Sequence, residues 1–149
     1  ASGQQIMTFA YTEPEYGWDP VNVKLTATQS NGGFTLNGTK LFVPDANVAD
    51  QMVVVARTST SADPEQGLTL LVVDTNAPGV SVRVQTGWIG PKVCEVNFES
   101  VEVPSEGILG DLGGAWPTIN STMDKGTAVL STYMAGGIQR VVDMSQDRS

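Results

Sequence analysis

The chain has 149 residues, 40% of them hydrophobic and 16% charged, a composition typical of a globular domain with a core of its own. Its formal net charge of −8 argues against nucleic acid or an anionic membrane surface as a partner. Because there is one cysteine and no histidine, an internal disulfide is excluded and a structural zinc site is not expected. No apolar stretch is long enough to span a bilayer.

Short apolar runs separated by turn residues predict about seven or eight β-strands. The clearest runs lie at residues 4–12, 23–28, 34–36, 51–57, 68–73, 80–84 and 93–103. The four residues Ser30-Asn31-Gly32-Gly33 predict a hairpin turn. Asn37 and Gly38 indicate either a second turn or a β-bulge, in which case the strand resumes through residues 41–43. Strands of this number and spacing predict a β-barrel or a β-sandwich.

The pattern becomes helical after residue 113. Apolar residues recur there at steps of three and four, at Trp116, Ile119, Met123, Leu130, Met134, Ile138 and Val141. Pro117 suits a first helical turn. Glycines inside this stripe, at 126, 136 and 137, indicate close approach of another helix. The partner is a helix outside these residues or a second subunit, or the stripe folds back on the β-strands.

Three segments, in order, resemble motifs of the middle domain of flavin-dependent acyl-CoA dehydrogenases. Residues 11–19 (Tyr-Thr-Glu-Pro, then Gly-Trp-Asp) resemble that family's Thr-Glu-Pro…Gly-Ser-Asp signature. Residues 36–50 resemble its Asn-Gly-x-Lys-x-Trp-Ile-Thr…Ala-Asp segment, and residues 98–104 resemble its Phe-x-x-Val-x-Val-Pro strand. The similarity covers nearly the whole chain but only the middle of the family's full architecture.

The resemblance implies a mainly β fold, an antiparallel β-barrel over residues 1–112. A long C-terminal helix would follow, residues 113–149 being the truncated start of a helical-bundle domain. The domain would contact FAD and acyl-CoA in a parent enzyme that carries out α,β-dehydrogenation of an acyl-CoA thioester. That parent would be a homodimer or homotetramer and would pass electrons to an acceptor protein. It would lie in the cytoplasm or, in a eukaryote, in the mitochondrial matrix.

The cofactor-binding residues that the resemblance implies lie in three places. The first two motifs supply Phe9, Ala10, Tyr11, Thr12, Gly17, Trp18, Phe42, Val43 and Pro44. Thr12 offers a hydrogen-bond donor and an acceptor for the flavin ring. Pro44 stands where the family has a threonine, so a hydroxyl and an N–H are lost. Arg148 lies where the family has an arginine that begins a segment and contacts the FAD pyrophosphate. A solvated arginine without that role is an equally good interpretation.

For acyl-CoA, the candidate contacts are Trp18, Arg83 and Lys92. Trp18 replaces a serine that contacts the cofactor or substrate in the family, and the two cations could meet CoA phosphates. We expect no catalytic residue in this chain. The position of a base in the first helix after the barrel is held by Gly126, followed by Thr127, and neither can act as a base. The isolated chain should therefore be inert.

Two alternatives remain at this point. Trp18 and Pro44, which depart from the family at cofactor-facing positions, would suit a non-catalytic paralogous subunit or a flavin oxidase of the same superfamily. A plain β-sandwich binding module, for example for carbohydrate, is the other. The long helix after Pro117 argues against that module, because such modules seldom end in one.

Overall fold

The structure is a computed structural model, which describes residues 3–87 and 92–146. It divides into two compact units, residues 1–116 and 117–149. The strands are β1 (Met7–Ala10), β2 (Thr26–Ser30), β3 (Gly33–Pro44), β4 (Gln51–Arg57), β5 (Leu68–Asp74), β6 (Val80–Gln85), β7 (Val93–Pro104) and β8 (Ile108–Leu109). Helix α1 spans Trp116–Gln146, and short 3₁₀ turns lie at Pro20–Asn22 and Ser105–Gly107.

The strands form one sheet in the order β6-β7-β3-β2-β4-β5-β8, with β1 beside β4. Most pairings are antiparallel, whereas β1 runs parallel to β4 and one further parallel pair joins β2 to β4. Strands β1 to β5 and β7 all send apolar side chains into one core, so the sheet wraps around it. The predicted mainly β fold followed by a long helix is confirmed.

Strand β3 carries two bulges that shape the region described below. Its register against β7 shifts between Leu36 and Gly38 and again between Lys40 and Val43. The first shift shows that Asn37 and Gly38 form a β-bulge and not a second turn. Gly38 is required there, because its φ is +144° and an added Cβ would come within 3.0 Å of the Leu25 backbone.

The predicted bounds of the first two strands were wrong: β1 begins at Met7 rather than at residue 4, and contacts of the loop between the strands explain two further differences. β1 ends at Ala10 rather than at residue 12, because the carbonyl of Tyr11 accepts from Lys40 and that of Thr12 from the Leu41 N–H. β2 begins at Thr26 rather than at residue 23. The N–H groups of residues 24 and 25 bind the Glu13 carboxylate instead of a neighbouring strand.

Arg57, at the end of β4, ties two loops to the barrel. Its guanidinium donates to the carbonyls of Val23 (3.0 Å) and Pro20 (2.7 Å) on one side. On the other it donates to the carbonyls of Gln66 (3.0 Å) and Pro64 (3.2 Å). A planar group with several fixed donors can satisfy loop carbonyls that have no strand partner.

Helix α1 begins one residue before Pro117, as predicted from the preference of proline for the first turn. Ile119 is buried, and the apolar stripe farther along is exposed at Leu130, Met134, Ile138 and Val141. In the part of the chain that the structure describes, no neighbouring atom lies within 4 Å of a Cβ built on the helical glycines. No described helix is both long enough and apolar enough to cross a membrane.

Candidate functional site

The candidate site centres on residues 11–13, which we call the Thr12 segment. Two groups of β3 hold its carbonyls: the Lys40 ammonium donates to the Tyr11 carbonyl at 2.9 Å, and the Leu41 N–H donates to the Thr12 carbonyl at 2.8 Å. Among the described residues, neither the Thr12 N–H nor its hydroxyl has a hydrogen-bond partner. As far as the described residues go, the half-buried Thr12 thus has two donors and an acceptor to offer to a ligand.

Glu13 and Lys40 form a buried ion pair beneath this segment. Lys40 Nζ lies 2.7 Å from Glu13 Oε1, and the two side chains are 0% and 4% exposed. Glu13 also accepts the N–H groups of Lys24 (2.7 Å) and Leu25 (3.0 Å). Burial lowers the pKa of Lys40 to about 8, although the carboxylates of Glu13 and Glu15 oppose that shift. A carboxylate of the Thr12 segment is thus fixed to both β3 and the approach to β2.

Three aromatic rings lie in a row beside the Thr12 segment. Phe9 stacks on Tyr11 with ring centroids 6.0 Å apart, and Tyr11 lies 6.2 Å from Trp18. The Tyr11 hydroxyl donates to the Trp18 carbonyl at 2.8 Å and so holds the far side of the loop. Burial raises the pKa of Tyr11, and the charges of Asp19 and Glu13 act in the same direction. Phe9 and Trp18 are exposed, so the row ends in apolar surface open to a ligand.

Tyr16 and Phe42 make a second aromatic pair, with centroids 6.1 Å apart. Both have left-handed backbones, with φ of +55° and +54°, which bulky residues seldom adopt. Both rings are nevertheless exposed, at 68% and 47%. Phe42 lies in the second bulge of β3, and such bulges turn a side chain away from its regular direction. Backbone strain of this kind clusters at ligand sites.

The remaining predicted cofactor residues have structural roles that the structure makes plain. Ala10 and Val43 are buried in the core. The Pro44 carbonyl accepts the Thr8 hydroxyl at 2.6 Å. The Asn22 side chain occupies the place where a Cβ of Gly17 would lie, so glycine is needed there for packing within the loop. Their contacts with a cofactor stay predictions.

The cations predicted to meet CoA phosphates lie on other strands. Arg83 of β6 is paired with Glu95 Oε2 at 2.7 Å, which lowers the pKa of that carboxyl. Lys92 is exposed beside β7, and its carbonyl accepts the Asp45 N–H at 3.0 Å. Arg148 lies outside the described residues. No contact joins these cations to the Thr12 segment in the described ranges.

Sequence reasoning missed three residues of this region: Glu13, Tyr16 and Lys40. One signal was available for Lys40, because it continues the inward-facing alternation of Phe34 and Leu36 along β3. A charge on an inward face requires a buried partner, and Glu13 is that partner. Within residues 3–87 and 92–146, no group of three or more acidic, cysteine or histidine side chains could hold a metal ion.

Comparison with known proteins supports the resemblance independently. Residues 8–101 match the family described as "Acyl-CoA dehydrogenase, middle domain". The chain is 33% identical over 146 residues to a mitochondrial 2-methylacyl-CoA dehydrogenase of Solanum tuberosum, covering 96% of this chain and 35% of that protein. The chain thus spans about a third of the length of the curated relatives it matches.

Solved structures agree with this comparison. An acyl-CoA dehydrogenase from Geobacillus kaustophilus superposes with a TM-score of 0.74 at 29% identity, covering 80% of this chain and 32% of that one. A structure described as the FAD complex of PigA gives 0.74 at 28% identity, covering 82% and 32%. The residues matched by the family, 8–101, include the region around Thr12.

Proposed function

Because the chain belongs to the acyl-CoA dehydrogenase family, as its middle domain, we propose that it forms the FAD- and acyl-CoA-contacting barrel of a dehydrogenase. The parent protein oxidises the Cα–Cβ bond of an acyl-CoA thioester. One observation carries the proposal: Thr12 keeps its N–H and hydroxyl free of described partners, in a segment whose carbonyls are fixed and whose neighbours are exposed aromatic rings. Such a site suits a flat heteroaromatic ring with polar edges.

The chemistry of the site fits the flavin ring better than the phosphates of FAD. Thr12 offers donors and an acceptor to the polar edge of the ring, and the ring of Phe42 offers apolar contact. The carboxylates of Glu13, Glu15 and Asp19 would repel a pyrophosphate placed at the same loop. FAD, when bound, would supply the acceptor for the hydride leaving the substrate's β-carbon. The residues of this chain would bind the flavin ring and orient it.

This chain supplies no base for the α-proton in our proposal. Gly126 cannot take a proton, and the Thr127 hydroxyl donates to the Met123 carbonyl at 2.9 Å, as helical threonines often do. The base therefore belongs to another part of the parent protein, and the isolated chain is inactive. The parent works as a homodimer or homotetramer with an acceptor protein for its electrons, in the cytoplasm or the mitochondrial matrix.

Trp18 is the residue most suited to change how the substrate sits. Its ring is exposed at the loop where the family has a small hydroxyl side chain, and its carbonyl is fixed by Tyr11. A large fixed ring narrows the space available to an acyl chain or pantetheine arm. Arg83 and Lys92 remain the proposed phosphate contacts, and for Arg83 this requires exchange of its Glu95 partner for a phosphate.

The test is anaerobic reduction of the FAD-loaded parent protein by acyl-CoA substrates. A panel of short, branched and long acyl-CoA esters should include at least one that bleaches the flavin absorbance, with the matching enoyl-CoA as product. Bleaching by none of them, although FAD is bound, would contradict the dehydrogenase activity and favour a non-catalytic subunit. Rapid return of colour with oxygen alone would favour the oxidase alternative that Trp18 and Pro44 suggest.

A further inference from the structure

Lys40 is the least expected residue of the barrel core. Its side chain is fully buried, and its ammonium group donates to the Glu13 carboxylate and to the Tyr11 carbonyl. Glu13 in turn accepts the N–H groups of Lys24 and Leu25. The pair thus links three parts of the chain: the Thr12 segment, the approach to β2, and the second bulge of β3.

Stability alone does not explain such a pair. Removing two charges from water is costly, and apolar residues of similar volume are often at least as stabilising as a buried ion pair. Burial also lowers the pKa of Lys40, which reflects the same cost. An ion pair is directional, whereas an apolar contact is not, because charge-assisted hydrogen bonds fix the positions of specific atoms.

The atoms fixed by the pair are those that frame Thr12. Lys40 binds the carbonyl before Thr12, and Glu13 is the residue after it, so both neighbours of Thr12 are anchored to the same ammonium group. The next residue of β3, Leu41, binds the Thr12 carbonyl itself, and Phe42 follows in a strained conformation with its ring exposed. The pair therefore holds both neighbours of Thr12 directly, and it is joined through β3 to the exposed ring of Phe42.

We propose that Glu13 and Lys40 are positioning residues for the flavin: their buried pair pre-organises the Thr12 N–H and hydroxyl and the Phe42 ring before FAD binds. This inference rests on the proposed function. Pre-organisation reduces the ordering cost of binding, so the pair contributes to FAD affinity without touching the cofactor. A pair that served only the fold would contribute to stability and leave affinity unchanged.

The experiment compares FAD dissociation constants in the parent protein, by flavin absorbance titration. The informative variant is the double replacement Lys40→Met with Glu13→Gln, which fills the same volume and leaves no unpaired buried charge. The single Lys40→Met variant leaves the Glu13 carboxylate buried without a cation and is the one at risk of not folding. Lys24→Met is the matched control, because only the backbone of Lys24 contacts Glu13, and its side chain is exposed.

We expect the double variant to unfold at nearly the wild-type temperature and to bind FAD at least about tenfold more weakly, which corresponds to about 1.4 kcal/mol. The absorbance of its bound flavin should also show a more solvent-exposed ring, and Lys24→Met should behave as wild type. Equal FAD affinity of the wild type and the double variant would overturn the positioning role alone. A wild-type protein that takes up no FAD would overturn both this role and the proposed function.

Discussion

The ammonium group of Lys40 lies 2.7 Å from the Glu13 carboxylate and 2.9 Å from the Tyr11 carbonyl, so one buried cation anchors the residues on both sides of Thr12. Lys40 and Glu13 are 27 positions apart in the chain. Their pairing explains where β1 ends, why β2 begins late, and what holds the Tyr11 carbonyl next to Thr12, whose own donors have no partner among the described residues.

The stability of the protein should depend on pH through Lys40. Its pKa is lowered from 10.5 to about 8 by burial, so between these values the unfolded chain holds a proton that the folded chain has lost. The free energy of unfolding should therefore rise with pH across this window, by up to about 1.4 kcal/mol per pH unit, relative to a variant without the pair.

Denaturant unfolding of the wild type and of the Lys40→Met, Glu13→Gln double variant, at pH values from about 8 to 10, measures that slope. The window ends at about 10 because Tyr11, whose pKa is raised from 10.0, then contributes in the opposite sense: the folded chain keeps the proton longer and stability falls with rising pH. Parallel pH profiles of the two proteins would show that Lys40 does not titrate in this range.

Tyr11→Phe should loosen the loop that carries Trp18. The substitution removes the hydrogen bond from the Tyr11 hydroxyl to the Trp18 carbonyl and keeps the ring stacked on Phe9. The expected loss of stability is about 1 kcal/mol, with weaker FAD binding and increased solvent exposure of Trp18 in fluorescence quenching. Tyr133→Phe, at an exposed position of α1, is the control and should change neither property. Unchanged FAD binding in Tyr11→Phe would show that this bond does not shape the site.

Phe42→Gly should weaken FAD binding without lowering the stability of the fold. Glycine adopts the φ of +54° without strain, so the backbone becomes more stable by about 1 kcal/mol, while the exposed aromatic ring is lost. We therefore expect an equal or higher unfolding temperature together with weaker FAD binding. Asp45→Gly relieves a similar φ of +49° without removing an aromatic ring, and it should leave FAD affinity unchanged. If both variants bind FAD as wild type does, the ring of Phe42 is not part of the site.

Arg57→Met should destabilise the barrel far more than Arg83→Met. Arg57 donates to four loop carbonyls, three of them at 3.0 Å or less, so its removal leaves acceptors without partners and should cost about 2–3 kcal/mol. Arg83 makes an ion pair with its own side chain 72% exposed, and because water and salt screen such exposed pairs, its removal should change stability little. Thermal unfolding of the two variants compares them directly, and equal losses would contradict the role assigned to Arg57.

Local sequence patterns predicted the elements whose bonds are local or whose apolar runs are long. The buried run of β4 and the Asn31-Gly32 turn have the predicted positions, and the helix begins beside Pro117. The two-residue strand β8 was missed because a pair of apolar residues carries no periodicity. The parallel pairing of β1 with β4 was missed because it joins residues far apart in the chain.

For the site, the motif resemblance predicted Thr12 and the rings of Phe9, Tyr11, Trp18 and Phe42, and the structure shows what surrounds them. The resemblance did not predict the buried ion pair that holds Thr12 in place. Lysine is seldom fully buried, so composition favours a solvated Lys40 unless its partner is known. That partner is Glu13, 27 residues away in the chain, and a pairing over this distance is a tertiary feature that alternation along a strand cannot reveal.

The measurement that tests the central claim most directly is an absorbance titration of the purified parent protein with FAD, for the wild type and for Thr12→Val. The wild type should bind FAD saturably, with one flavin per chain and shifted flavin bands. Thr12→Val, which replaces the hydroxyl by a methyl group of similar size, should bind at least about tenfold more weakly. A wild-type protein that stays colourless, or a Thr12→Val variant that binds FAD as tightly as the wild type, would contradict the assignment of this segment as the flavin site.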